Sequence, residues 1–184
     1  MLDISVAYKR FRFIGQEFLT WLWYMIATGE YTDILGEDAN FSLALGDRMV
    51  LENRHSKDIE IITIKGSQAD LKEGVVALSK GALVAELGIV IHVDDQPWKF
   101  TLKGESLDMT HLKTPPTGRP ETVDDFEGAV FEKALLYETA FQITDQLYHT
   151  FIKQRIGNDW DNRIKTKIKT WIKTQDLKMI KDPI

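Results

Sequence analysis

The side chains best spaced for joint chemistry in this sequence are five cations near its C-terminus: Arg163, Lys165, Lys167, Lys169 and Lys173. On a helix running from about Asp159 to Gln175, Lys165, Lys169 and Lys173 fall at i, i+4 and i+8, with Arg163 and Lys167 on the far flank. Residues four apart lie about 6 Å apart along a helix axis, so the row offers a line of charge that a phosphate backbone can follow. Lysine is a point charge, suited to phosphate contact and poor at forked readout of base edges. The expected ligand is therefore DNA, bound through its phosphates without sequence preference. The bland alternative is a solvated polar face, because Trp160, Ile164, Ile168, Trp171 and Ile172 give the same helix a docking stripe.

Overall charge argues against nucleic acid, and its distribution argues for it. The net charge is −5, yet from His149 onward nine Lys or Arg stand against four Asp. The preceding residues carry fourteen basic and twenty-four acidic side chains. Such asymmetry is typical of an interaction tail or patch.

Catalytic constellations are weak by comparison. His92, Asp94 and Asp95 form a His-x-Asp-Asp string that resembles a metal site, but the two Asp fall where a hairpin turn is expected and Asp is favoured there for backbone reasons. Asp58, Glu60 and Lys65 lie near one strand without the Asp and later Glu-x-Lys of a metal-dependent nuclease. His55, His111 and His149 are isolated, and neither a Gly-x-Ser-x-Gly elbow nor a phosphate-cradling glycine loop occurs. The absence of Cys removes disulfides, zinc-thiolate sites and thiol nucleophiles. No catalytic residue, metal or cofactor is expected, and the chain reads as a non-enzyme.

The elements that must position the cations begin with a run of aromatics. Phe13 to Tyr24 contains two Trp, one Tyr and two Phe, and as a helix opening near Gly15 it is apolar all round. Such a helix is buried in a core or held in an interface. Trp21 and Trp23 lie about 160° apart around the axis, so Trp23 is expected against the sheet and Trp21 against a long helix or a second chain. Both are candidate interface residues.

From Phe41 to about Leu112 the pattern is alternating and β-branched. Phe41, Leu43 and Leu45 precede a break at Gly46-Asp47, then Arg48 to Glu52 and Glu60 to Ile64 follow as further strands. Ser67 to Asp70 reads as a capping box opening a crossing helix through Leu71, Val75 and Leu78. Ala85, Leu87, Ile89, Ile91 and Val93 point inward, Asp94 to Pro97 turns the chain, and Trp98, Phe100 and Leu102 return as the second strand of a hairpin.

Residues 113–122 hold three prolines within eight positions and form a stiff connector. Beyond it, Phe126, Val130, Ala134, Tyr137, Phe141, Thr144, Tyr148 and Phe151 make one apolar stripe of a long helix. Phe131 and Leu135 sit off that stripe and call for a second cover, either a partner or another part of the chain. The expected organisation is an α+β core over 1–112, the connector, and a helical region over 123–184 ending in the basic helix. Within the core, an antiparallel sheet is covered by the aromatic helix and the long helix, with one crossing helix and the basic helix at the sheet's edge.

The motif Ile14-Gly15-Gln16-Glu17-Phe18-Leu19-Thr20-Trp21-Leu22-Trp23-Tyr24, the β-rich middle with Arg48 to Asn53, and the helical Phe126 to Tyr148 region together resemble the C-terminal part of the bacterial RdgC-like proteins. These are recombination-associated proteins sometimes labelled exonucleases. The resemblance spans nearly the whole chain and rests on the aromatic motif and the order of elements. It implies a DNA-binding protein, often a dimer, that limits access of the RecA recombinase to DNA. Members are normally longer, and their ring architecture relies on an N-terminal region without a counterpart here. A homodimer, or a protein partner supplying that region, is the corresponding expectation. The alternative function is a structural or adaptor subunit pairing through the aromatic and long helices, with a metal-dependent nuclease a distant third. Met1 to Arg10 has no export pattern and no stretch of about 20 apolar residues follows, so a cytoplasmic protein without a membrane span is expected.

Overall fold

The computed structural model describes residues 13–32, 40–55, 58–66, 71–118 and 122–181. The expected capping box at Ser67 to Asp70 lies outside them. Five strands, β1 (Phe41–His55), β2 (Asp58–Lys65), β3 (Leu83–Val93), β4 (Gln96–Lys103) and β5 (Met109–Lys113), form one antiparallel sheet in the order β2-β1-β3-β4-β5. With the helices α1 (Phe13–Thr28), α2 (Leu71–Ser79), α3 (Val123–Ile156) and α4 (Lys165–Lys181), the fold is α+β. A π-helical turn at Trp160–Ile164 leads into α4. Among the described residues no helix is long and apolar enough to cross a membrane.

The β3–β4 hairpin follows from its sequence almost residue by residue. Asp94 and Asp95 both take positive φ, at 48° and 62°, as a two-residue turn matching the strand twist requires. Val93 therefore pairs with Gln96, and His92 with Pro97, which already belongs to the strand rather than the turn. Leu87, Ile89, Ile91, Trp98, Phe100 and Leu102 fill the inner face.

Two bulges depart from simple alternation. β1 is one continuous strand rather than two pieces broken at Gly46-Asp47: pairing slips between Leu45 and Met49, so Gly46, Asp47 and Arg48 arch over Gly88 alone. A Cβ on Gly46 would come within 2.9 Å of the Gly88 carbonyl carbon, so the arch closes only over glycines. The second slip separates the Val50–Glu86 and Leu51–Val84 pairs. It carries Val84 into the core in place of the expected Ala85, whose carbonyl oxygen instead accepts the Gly104 amide at 2.7 Å.

The aromatic helix lies across β3 and β1 and is buried from Phe18 to Met25 except at Thr20. Gly15 sits inside its first turn because a methyl there would overlap the Gly104 carbonyl oxygen. Gly29, at φ 74°, ends the helix. The helical region beyond the connector shares this core rather than forming a body of its own: Ala140, Ile143, Leu147, Phe151, Trp160 and Ile168 join one cluster with the sheet and α1. The Trp98 indole also donates to the Leu136 carbonyl of α3 at 2.9 Å. α4 packs on α2 and reaches α1 through Trp171, which meets Trp23 and Tyr24 edge-on.

The long helix differs from its expected pattern. Its buried stripe is Ala140, Ile143, Leu147 and Phe151, whereas Phe126, Val130, Ala134, Tyr137 and Phe141 are exposed. Trp98 and Thr114 hold this half at Leu136 and Lys133, but no described part of the chain covers Phe126, Val130, Phe131 and Leu135. Thr122 starts it with a reciprocal capping box: its hydroxyl accepts the Asp125 amide at 3.2 Å, and its own amide donates to the Asp125 carboxylate at 2.9 Å.

Candidate nucleic-acid interface

The five cations are all exposed along the π-turn and α4, held there by the expected docking stripe. Trp160 and Ile168 are buried, and Ile164, Trp171 and Ile172 are partly so. The cations differ in their partners. Arg163 pairs with Asp159 at 2.9 Å and Lys165 with Asp161 at 3.2 Å, each with an exposed acid one turn earlier. Exposed pairs of this kind contribute about 0.3–0.5 kcal/mol, so a phosphate can replace the acid at little cost. Lys169 and Lys173, one turn apart, have no acidic partner among the described residues.

Lys167 belongs to a different assembly. Its ammonium lies 3.0 Å from one Glu30 oxygen, and the Tyr24 hydroxyl donates to the other at 2.6 Å. Burial pushes the Tyr24 phenol well above its ordinary value, and the Glu30 carboxylate beside it adds to the shift. Burial alone would raise Glu30 too, but the Tyr24 hydrogen bond and then Lys167 outweigh it and hold the carboxyl below its usual range. Lys167 thus fastens α4 to the end of α1, and a phosphate there would compete with a carboxylate that Tyr24 also holds.

The interface candidates divide sharply. Trp21 is 1% exposed, packed against Phe151 with its indole donating to Gln154 of α3 at 3.0 Å. Trp23 is 2% exposed, edge-on to Trp171 and beside Gly74 of α2, where Leu51 and Ile64 of the sheet also close in. Both indoles are therefore covered by this chain's own helices, which leaves neither available to a partner. Phe131 and Leu135, by contrast, are 71% and 62% exposed.

The candidate metal residues serve the backbone or stand apart. Asp94 and Asp95 make the hairpin turn, and Glu60 and Lys65, an odd number of residues apart on β2, face opposite sides of the sheet.

A second polar feature escaped the sequence reading. The outer face of the sheet is hollowed into a trough of about 420 Å³ lined by Lys99, His111, Lys113, Thr101 and Asp47 over a glycine floor. Lys99 and Thr101 were legible as outward-facing, but without β5 nothing placed Lys113 opposite Lys99. No family model, curated protein or solved structure matches the chain.

Proposed function

We propose that this chain is a non-enzymatic protein that binds DNA through its phosphates, without sequence preference, and acts in or regulates DNA recombination. One observation carries the binding: Lys169 and Lys173 are exposed, one turn apart and unpaired among the described residues, with Lys165 a turn earlier in an easily exchanged pair. The role in recombination rests on the RdgC-like resemblance of the aromatic motif and element order. Three lysines in line reach about three phosphates, so log affinity for duplex DNA should fall with log salt at a slope of about −2.7. The Lys165→Glu, Lys169→Glu, Lys173→Glu triple variant should abolish binding in a low-salt titration, while Lys167→Gln should leave the salt slope unchanged. Equal binding by the triple variant and the parent removes this reading.

A second reading, an adaptor or homodimeric subunit, is favoured by the uncovered apolar half of α3, where Phe126, Phe131, Leu135 and Phe141 are all more than half exposed. They form two exposed apolar stripes, Phe126 with Phe141 and Phe131 with Leu135, and exposed apolar surface commonly marks a protein contact. The two readings are compatible, since pairing through α3 leaves α4 free.

A further inference from the structure

Lys99 and Lys113 stand directly opposite each other on β4 and β5. Residues so paired project from the same side of a sheet, and Lys99 lies between the inward-facing Trp98 and Phe100, so both lysines leave the outer face. Like charges in this arrangement are unfavourable unless something negative lies between them. Both line the trough of about 420 Å³, a volume within the range of small-molecule sites.

The trough has a built floor. At the β1 arch a Cβ on Gly88 would come within 2.8 Å of the Arg48 carbonyl oxygen, so the backbones of β1 and β3 meet with no side chain between them. Thr101, buried and facing outward, puts a hydroxyl-bearing side chain beside this floor. His111 stands on the far wall at φ 56°, inside a strand, where β5 carries one more residue than β4 between the Lys99–Lys113 and Thr101–Thr110 pairs. A left-handed conformation is unfavourable for a residue with a Cβ, and a bulge re-aims the side chain it carries. Among the described residues Asp47 is the one carboxylate on the lining.

We propose that this trough is a phosphate site, in which Lys99 and Lys113 hold a phosphate monoester or diester between them, with Thr101 and His111 as hydrogen-bonding groups at floor and wall. Two ammonium groups converging on one cavity suit a compact, multiply charged anion. The site stands apart from α4, none of whose lysines lines it.

The test is an NMR titration of the whole chain with inorganic phosphate against chloride at matched ionic strength. The expected result is saturable shifts focused on the amides of Gly46, Gly88 and Thr101. Lys99→Thr and Lys113→Thr should each weaken binding roughly tenfold. Asp47→Asn should strengthen it by roughly threefold, because it removes an opposing charge. Competition by adenosine monophosphate alone identifies a free small molecule as the source of the phosphate, and Lys99-dependent competition by a short oligothymidine identifies a nucleic-acid strand. Phosphate binding unchanged by Lys169→Glu with Lys173→Glu separates this site from the α4 interface, so either can fail alone. Shifts scattered over the surface of the parent protein, or full phosphate affinity in folded Lys99→Thr, would overturn the proposal; the parent titration decides even if a variant does not fold.

Discussion

The aromatic helix and the first half of the long helix are both rich in large apolar side chains, and the fold treats them oppositely. From Phe18 to Met25, α1 keeps all but Thr20 buried, because the sheet, α3, α2 and α4 close on it from every side. From Phe126 to Phe141, α3 leaves most of its large apolar residues in the open. Residues 126–141 interleave their apolar side chains with Glu127, Glu132, Lys133 and Glu138, whereas Phe13–Thr28 carries one charge, Glu17, and fewer elements lie within reach of the former. A helix of 34 residues is about 51 Å long, and apart from β1 the strands run 5 to 11 residues, about 17–36 Å, so it outreaches most of the sheet. Apolar density thus says that a cover is needed, and the fold decides who supplies it.

The sharpest way to break the comparison is to remove the centre of the covered helix. Trp21→Ala deletes a side chain packed on Phe18 and Phe151 and strands Gln154 without its indole partner. The expected loss is about 3–5 kcal/mol, a large share of a domain's typical 5–15 kcal/mol. Denaturant melts measure it directly. A loss under about 1 kcal/mol would mean that α1 is not the keystone of the core.

A smaller effect should come from the fastening at the end of α1. Glu30 has its folded pKa depressed, so its stabilisation is present above the free-carboxylate value of about 4.3 and is lost as pH falls through the folded value. Tyr24 has its folded pKa raised, so its contribution is present below about pH 10 and is lost as pH climbs through the raised value. Glu30→Gln should cost about 1 kcal/mol at neutral pH and flatten the acid limb of the stability profile. It should also bring the Tyr24 titration part of the way back toward free tyrosine, because burial, the larger cause, remains. An acid limb identical in variant and parent would show that the Tyr24–Glu30–Lys167 contact does not hold α4 to α1.

The readable parts of the sequence were those where local pattern and final environment agree. Period-two apolar residues around an Asp-Asp turn gave the β3–β4 hairpin, and the Trp160 to Ile172 spacing gave the docked face of α4. The bulges were hidden because a slipped register changes no residue type: Val84 and Ala85 are both apolar, and only their pairing shows which one is inside. β5 is five residues long with a left-handed His111 in its middle, too short and irregular for alternation to register. The expected stripe of α3 holds at Tyr148 and Phe151 and fails further toward its N-terminus, because Phe126, Val130 and Phe141 outweigh Ala140 and Ile143 in size while contact with the core chose the smaller residues. Of the basic row, the Arg163–Asp159 and Lys165–Asp161 pairs were visible at i, i+4 spacing, whereas Lys167 and Glu30 are 137 positions apart and meet only after folding.

The smallest stability effect belongs to the uncovered helix, and it tests the other half of the comparison. Phe131→Ser with Leu135→Ser alters two residues that are 71% and 62% exposed, so the folded monomer has little packing there to lose. Stability should stay within about 0.5 kcal/mol of the parent, as for surface changes away from caps and networks. Association should respond far more, because exposed aromatics at a contact are commonly where binding energy concentrates. Sedimentation of the parent across concentration should show a monomer–dimer equilibrium, and the double variant should shift it toward monomer by at least tenfold in dissociation constant, a change of about 1.4 kcal/mol. A parent that remains monomeric at high concentration assigns this face to a different protein, and a double variant that loses stability as Trp21→Ala does would mean that the N-terminal half of α3 is covered after all. Only a helix whose apolar residues await a second chain should lose association and keep its fold.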